Sequence, residues 1–120
     1  MRVSVESRED ATILQLHGQI SIESGVQDLR LALSRLSAEG AARVVVDLDD
    51  VTFVDSAGLG ELVAAYQRTG ERGGRLCVAR PRAKVLDLIH LTRLHEVLPV
   101  HEGLDEALRA VTGDHSSSSV

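Results

Sequence analysis

The amino-acid sequence predicts an α/β domain built on a mixed central sheet of about four to five strands, with about four helices. Strand-like and helix-like segments alternate along most of the chain, which favours parallel strands joined by helical connections. Two strand-like segments near the start are separated only by a charged turn, so they are expected to pair antiparallel. Residues 43–48 form an apolar run bounded by charge, as expected of a strand that is covered on both faces.

The first elements follow from the spacing of apolar residues. Strands are predicted at residues 2–7 and 11–17, and Gly18 is expected to end the second strand. A helix is predicted over residues 23–37, and Gly40 is expected to stop it. The apolar residues that recur at helical spacing in this segment are Val26, Leu29, Leu33 and Leu36.

The second half of the sequence continues the alternation. A second helix is predicted over about residues 57–69, ended by the glycines that follow, and residues 75–79 have the pattern of a strand. Pro81 suits the first turn of a third helix. Residues 96–100 are expected to form a short last strand, and residues 104–111 a final helix.

The length of the chain fits one domain. Of its 120 residues, 43% are hydrophobic and 26% are charged, which is typical of a globular domain. Residues 1–112 are expected to form this domain, and residues 113–120, GDHSSSSV, a disordered polar tail. The net charge of −5, with Phe53 and Tyr66 as the only aromatic side chains, argues against a nucleic-acid partner.

The sequence also indicates a compartment. Cys77 is the single cysteine, so no internal disulfide can form, and its apolar strand is expected to bury it. The N-terminal residues lack the apolar core of a signal peptide, and no segment approaches the length of a membrane span. The five histidines lack metal-ligand spacing. We therefore expect a cytoplasmic protein without a membrane partner or a bound metal.

The most informative segment of the chain is residues 44–60, VVVDLDDVTFVDSAGLG. An apolar strand ends in acidic residues, and Ser56 then opens a helix. This position would present the hydroxyl of Ser56 to solvent at the positive end of the helix dipole, where a phosphate can be added or removed. A simpler interpretation, compatible with the first, is that Ser56 is the N-cap of the helix.

This segment resembles the signature of STAS domains, specifically that of bacterial anti-sigma factor antagonists. The resemblance covers about residues 3–111. Gly18, the pair Gly73 and Gly74, and the segment 88–108 also fit the family pattern in order and spacing.

The resemblance implies a non-catalytic module, with no cofactor of its own, that binds a serine-kinase anti-sigma factor and so frees a sigma factor. The kinase, which brings ATP and Mg²⁺, would inactivate the module by phosphorylating the motif serine, here Ser56, and a serine phosphatase would restore it. The module is expected to be a monomer or a weak dimer. The residues expected to contact the partner are Asp55, Ser56, Ala57, Gly58, Leu59 and also Ser21, which stands where the family often has aspartate.

Several alternatives stay open at this point. Gly58 and Gly60 each cost a helix about 1 kcal/mol relative to alanine, and they indicate either close packing on the sheet or room for a kinase to approach Ser56. Other roles of STAS domains are a subunit of a stress-signalling assembly and an accessory domain of a lipid transporter.

The acidic residues suggest a different class of function. The stretch VVVDLDDV fits the pattern of haloacid-dehalogenase-type phosphatases, in which Asp47 would become phosphorylated and would bind Mg²⁺ together with Asp49. The chain is short for that fold, and the only candidate for its downstream acidic motif is Gly113 with Asp114, in the polar tail.

Overall fold

The computed structural model describes residues 1–113 and places ten elements along them. All but one residue of the predicted polar tail, 113–120, therefore lies outside the described residues. The elements are β1 Arg2–Arg8, β2 Ala11–Ile20, α1 Val26–Ala38, β3 Arg43–Val54, α2 Ser56–Glu71, β4 Arg75–Ala79, α3 Ala83–Leu91, a 3₁₀ turn Leu94–Glu96, β5 Val100–His101 and α4 Leu104–Thr112.

The strands form one mixed sheet in the order β1-β2-β3-β4-β5. Strand β1 pairs antiparallel with β2, and the remaining neighbours pair parallel. The predicted α/β architecture and its antiparallel opening are thereby confirmed. Because β2 and β3 are parallel and Ile20 pairs with Val54, their carboxyl ends meet at the same edge of the sheet.

The core lies on both faces of this sheet. Val44, Val46 and Leu48 belong to a large apolar cluster to which α1, α2 and α3 also contribute. Val45 and Cys77 belong to a smaller cluster completed by α4. The alternation of side chains along β3 buries successive residues on opposite faces, which confirms that this strand is covered on both sides.

Two strands are longer than predicted. Gly18 does not end β2. This glycine takes a φ of 114° at a shift in register, and pairing with β3 continues the strand to Ile20. Strand β3 continues beyond residue 48 because β2 offers it hydrogen-bonding partners as far as Val54. Tertiary pairing thus outweighs the polar character of residues 49 and 50.

Helix α1 begins later than predicted. Gly25 has a φ of 102°, a conformation that interrupts a right-handed helix, so the helix starts at Val26 rather than at residue 23. Residues 21–25 form a tight loop instead, in which the N–H of Ser24 donates to the carbonyl oxygen of Ser21 at 3.1 Å.

The last strand and the third helix are also shifted from their predicted positions. Helix α3 starts at Ala83 rather than at Pro81, after Arg80 with its left-handed φ of 54°. Leu94–Glu96 is a 3₁₀ turn, and β5 is confined to Val100–His101. Proline has no N–H to donate to a strand, so Pro99 contributes only its carbonyl oxygen, which accepts from Val78 at 3.0 Å.

Candidate functional site

The candidate site lies at the edge of the sheet where β2 and β3 end. Asp55 follows the last residue of β3, and Ser56 is the first residue of α2. Loops at the carboxyl ends of parallel strands are the usual position of functional sites in α/β folds, because the strands hold them in fixed relative positions. The loop after β2, residues 21–25, lies at this same edge.

The hydroxyl of Ser56 is accessible. Its residue is exposed, and within residues 1–113 its oxygen makes no hydrogen bond. The N-cap of α2 is Asp55, whose backbone is extended and whose Oδ1 accepts from the N–H of Gly58 at 2.9 Å. The interpretation of Ser56 as the N-cap is therefore wrong, and its hydroxyl makes no hydrogen bond to residues 1–113 that a modification would break.

Asp55 ties the loop after β2 to the start of α2. Its Oδ2 accepts from the N–H of Ile22 at 3.0 Å, and its own N–H donates to the carbonyl oxygen of Ile20 at 3.2 Å. The backbone N–H groups of Ile22 and Gly58 hold the pKa of Asp55 below its ordinary value because they favour the ionised carboxylate. These contacts give Asp55 a positioning role in addition to the partner contact expected from the sequence.

Gly58 lets the first turn of α2 pack directly on the end of β2. A Cβ atom at this position would overlap the carbonyl oxygen of Ile20 and approach the side chain of Val54. The packing interpretation is thus confirmed for Gly58. Gly60 differs from it, because this glycine is exposed and, apart from its chain neighbours and the nearby backbone of α2, none of the described residues comes within 4 Å of the place a Cβ would take.

Two of the expected partner contacts are buried. Leu59 is only 1% exposed and belongs to the large core cluster, so its side chain anchors α2 on the sheet. Ser21 is 7% exposed, and its hydroxyl both donates to the carbonyl oxygen of Ser24 and accepts from the N–H of Ser24, each at 3.1 Å. The side chain of Ser21 therefore shapes the loop. Ala57 is half-buried beside Ser56.

Sequence reasoning missed two apolar side chains at this edge. Ile22, whose N–H binds Asp55, is 75% exposed, and Phe53 near the end of β3 is 50% exposed. An isoleucine within a run of serines and a glutamate was the available signal for Ile22. Phe53 gave no such signal, because the strand predicted from the sequence ends at residue 48, before Phe53.

A shallow groove of about 300 Å³ runs from Ser56 along one side of α2. The segment after α3 forms its other wall. The residues that line it are Ser56, Leu59, Gly60, Val63, Ala64, Gln67, Thr92 and Leu94. A larger cavity of about 710 Å³ lies between the second half of α2, β4 and the end of α4, and Ser56 does not line it.

The carboxylate of Asp47 is sealed inside the fold. It is 0% exposed and accepts two hydrogen bonds from the guanidinium of Arg80, from Nη2 at 2.6 Å and from Nε at 3.2 Å. Burial alone would raise the pKa of Asp47, but hydrogen bonds from Arg80, from the N–H of Asp49 and from Gln15 outweigh burial and lower it.

This pairing bears on the phosphatase alternative. A nucleophilic Asp47 would have to meet a phosphate ester, yet its oxygens are occupied by a bidentate ion pair in the interior. Asp49 is exposed and does not share that interior site. Within residues 1–113, no group of three or more histidine, cysteine, aspartate or glutamate side chains is placed to hold a metal ion.

The helices in the described part of the chain are short or polar. None of those within residues 1–113 is both long enough and apolar enough to cross a membrane.

Comparison with known proteins places the chain among proteins of one family. The STAS domain family model matches residues 2–107. The anti-sigma-B factor antagonist of Bacillus subtilis is 27% identical over 100 residues, which are 83% of this chain and 90% of that protein. The anti-sigma F factor antagonist of Paenibacillus polymyxa is 20% identical over 108 residues, covering 90% of this chain and 92% of that protein.

A solved structure agrees with these relatives. The crystal structure of an anti-sigma factor antagonist from Mycobacterium paratuberculosis superimposes with a TM-score of 0.82 at 30% sequence identity. The match covers 92% of this chain and 93% of that chain.

Proposed function

The chain belongs to the STAS domain family, and we propose that it is an anti-sigma factor antagonist that binds a serine-kinase anti-sigma factor and so releases a sigma factor. The kinase switches the antagonist off by phosphorylating Ser56, and a serine phosphatase switches it on again. The observation that carries this proposal is the exposed hydroxyl of Ser56, free of hydrogen bonds within residues 1–113, at the start of α2. The role is regulatory.

In the phosphorylation reaction this chain supplies only the hydroxyl of Ser56. In the kinase, the oxygen of Ser56 would attack the γ-phosphorus of ATP, the bond from that phosphorus to ADP would break, and the hydroxyl proton would pass to a base of the kinase. The products are phosphoserine and ADP. The catalytic groups, ATP and Mg²⁺ belong to the kinase, so this chain needs no cofactor.

The surroundings of Ser56 suit a surface that binds the anti-sigma factor when Ser56 carries no phosphate. Ile22 and Phe53 expose apolar side chains at the same edge of the sheet. Burying such side chains against a partner favours binding. A phosphate with roughly two negative charges cannot be buried there without losing its hydration, so it would oppose the same contact.

Asp55 supports this surface from behind. Its two carboxylate oxygens fasten the Ile22 loop and the first turn of α2 to one another. The docking surface would therefore be preformed in the free protein, which lowers the entropic cost of binding.

The cellular setting follows from the proposed partners. Sigma factors act on RNA polymerase, so this exchange takes place in the cytoplasm. We propose that the antagonist works there as a monomer or a weak dimer.

A displacement assay tests the proposed function. The serine-kinase anti-sigma factors of the same genome are each purified as complexes with their sigma factors, and the unphosphorylated chain is added without ATP. We expect one complex to release its sigma factor in size-exclusion chromatography. Ser56→Ala should release the sigma factor as well as the wild type does, whereas Ser56→Asp should release far less because it places a charge on the docking surface.

The control is Ser7→Asp, which makes the same chemical change at an exposed serine of β1, at the opposite end of β2 from the site. It should behave as the wild type. Equal release by Ser56→Asp and Ser7→Asp would contradict the proposed role of Ser56, and the failure of every complex to release its sigma factor would contradict the function itself.

A further inference from the structure

Gly60 is a residue that the fold itself does not require. It lies inside α2, where glycine destabilises a helix relative to alanine. Its φ is not in the left-handed region, so an alanine could adopt the same backbone. It is exposed, and none of the described residues beyond its chain neighbours and the nearby backbone of α2 comes within 4 Å of the place a Cβ would take. Neither strain nor packing within residues 1–113 explains the glycine.

The position of Gly60 relative to Ser56 supplies an explanation. The two residues are four apart in one helix, so they lie on the same face about 5 to 6 Å from one another. Both line the groove that runs along α2. A kinase that brings the γ-phosphorus of ATP within about 3 to 3.5 Å of the Ser56 oxygen must also cover the helix surface one turn further on.

The groove beside Gly60 has the character of a contact surface. Its walls are largely apolar, with Val63 and Ala64 on α2 and Leu94 opposite. Leu91, at the end of α3 just before the wall residue Thr92, is 80% exposed. Apolar side chains in a groove that continues from the modified serine indicate that the protein covering Ser56 also fills this groove.

We propose that Gly60 is a partner-contact residue that lets the backbone of the anti-sigma factor lie directly on α2, with an apolar side chain of that partner in the groove between α2 and Leu94. The inference rests on the proposed function, because it assigns the groove to the same partner. A side chain at position 60 would lift the partner from α2. It would leave the fold of this chain intact, since the space there is open.

The same helix provides a matched control. Gly70 is also exposed, and its missing Cβ likewise has none of the described residues within 4 Å beyond its chain neighbours and the nearby backbone of α2. It lies ten residues further along α2, about 15 Å away along the helix axis, and does not line the groove. Position 70 lies in the last turn of α2, beside the larger cavity and away from Ser56. Substitutions there therefore show what a side chain on an exposed part of α2 does outside the groove.

The experiment compares Gly60→Ala, Gly60→Leu, Gly70→Ala and Gly70→Leu with the wild type. Binding to the anti-sigma factor is measured by calorimetry, and folding by thermal unfolding. We expect Gly60→Ala to raise the unfolding temperature by about 3 to 5 °C because alanine favours the helix, and Gly70→Ala to raise it by less because position 70 lies in the last turn of α2. Gly60→Leu should weaken binding by about tenfold or more and Gly60→Ala by less, while both Gly70 variants stay within about twofold of the wild type.

The outcomes separate this inference from the proposed function. If Gly60→Leu binds as tightly as the wild type while Ser56→Asp does not, the inference is overturned and the proposed function stands. Equal weakening by Gly60→Leu and Gly70→Leu would also overturn it, because the effect would not belong to the groove. If the unmodified wild type binds no anti-sigma factor, both fail. A stabilised Gly60→Ala that binds more weakly than Gly70→Ala supports the inference without the bulkier variant.

Discussion

Phosphorylation of Ser56 is expected to weaken binding to the anti-sigma factor by two to three decades in Kd, or about 3 to 4 kcal/mol. The phosphate would add roughly two negative charges at an edge of the sheet where Ile22 and Phe53 expose apolar side chains. To keep the same contact, the complex would have to strip water from that dianion without a partner placed to receive it. The desolvation of the phosphate therefore reduces the free energy of binding.

The fold itself should tolerate the modification. The hydroxyl of Ser56 makes no hydrogen bond within residues 1–113 that esterification would remove, and a negative charge at the start of α2 is favoured by the helix dipole. Repulsion from the neighbouring carboxylate of Asp55 opposes that gain. We therefore expect the free energy of unfolding to change by less than about 1 kcal/mol.

Calorimetry and denaturant unfolding on one preparation test both parts of this expectation. The chain is phosphorylated with the kinase, the product is purified, and half of it is dephosphorylated with a serine phosphatase as the matched control. The control should regain the affinity of the untreated protein. Equal affinities of the two halves would contradict the switch, and unfolding of the phosphorylated half would show that the modification acts on the fold.

Gly25→Ala is expected to lower the free energy of unfolding by about 3 to 5 kcal/mol. Gly25 has a φ of 102° at the start of α1, a conformation that side chains rarely adopt. A Cβ atom there would also overlap the carbonyl oxygen of Gln19. Backbone strain and a clash with backbone atoms therefore add together, and neither can be relieved by turning a flexible side chain.

The control for this prediction is Gly40→Ala. Gly40 follows α1 with a φ of 83°, yet none of the described residues other than its two chain neighbours lies within 4 Å of the place a Cβ would take. An alanine at position 40 would meet backbone strain but no clash. Gly40→Ala should therefore lower the free energy of unfolding by about 1 to 2 kcal/mol. Denaturant unfolding measures both variants. If Gly25→Ala lowers the free energy of unfolding no more than Gly40→Ala does, the result would contradict the close approach of the loop 21–25 to β2.

The sequence predicted the architecture because apolar spacing records which faces are buried. The alternation of Val44, Val45 and Val46 between two apolar clusters is the clearest case. The same logic placed Ser56 at the start of α2, because a strand that ends in polar residues and is followed by a helical pattern defines the junction. These are local signals, and the structure agrees with them.

The errors arose where tertiary contacts overrule local signals. Nothing in the sequence around Gly25 distinguishes a glycine that starts a helix from one inside it. Asp55 and Ser56 are both good N-cap residues, and only the position of the Ile22 loop decides that Asp55 takes that role. The burial of Leu59 and Ser21 likewise depends on the sheet behind them.

The central claim is that the Ser56 hydroxyl is the accessible alcohol that the anti-sigma factor kinase phosphorylates. Intact-mass analysis tests it most directly, after the chain has been incubated with that kinase, ATP and Mg²⁺ and digested for peptide mapping. We predict a gain of about 80 Da, one phosphoryl group, located on Ser56 and absent from Ser56→Ala. A gain located on another residue, or an unchanged mass under conditions in which the kinase hydrolyses ATP and binds the chain, would contradict it.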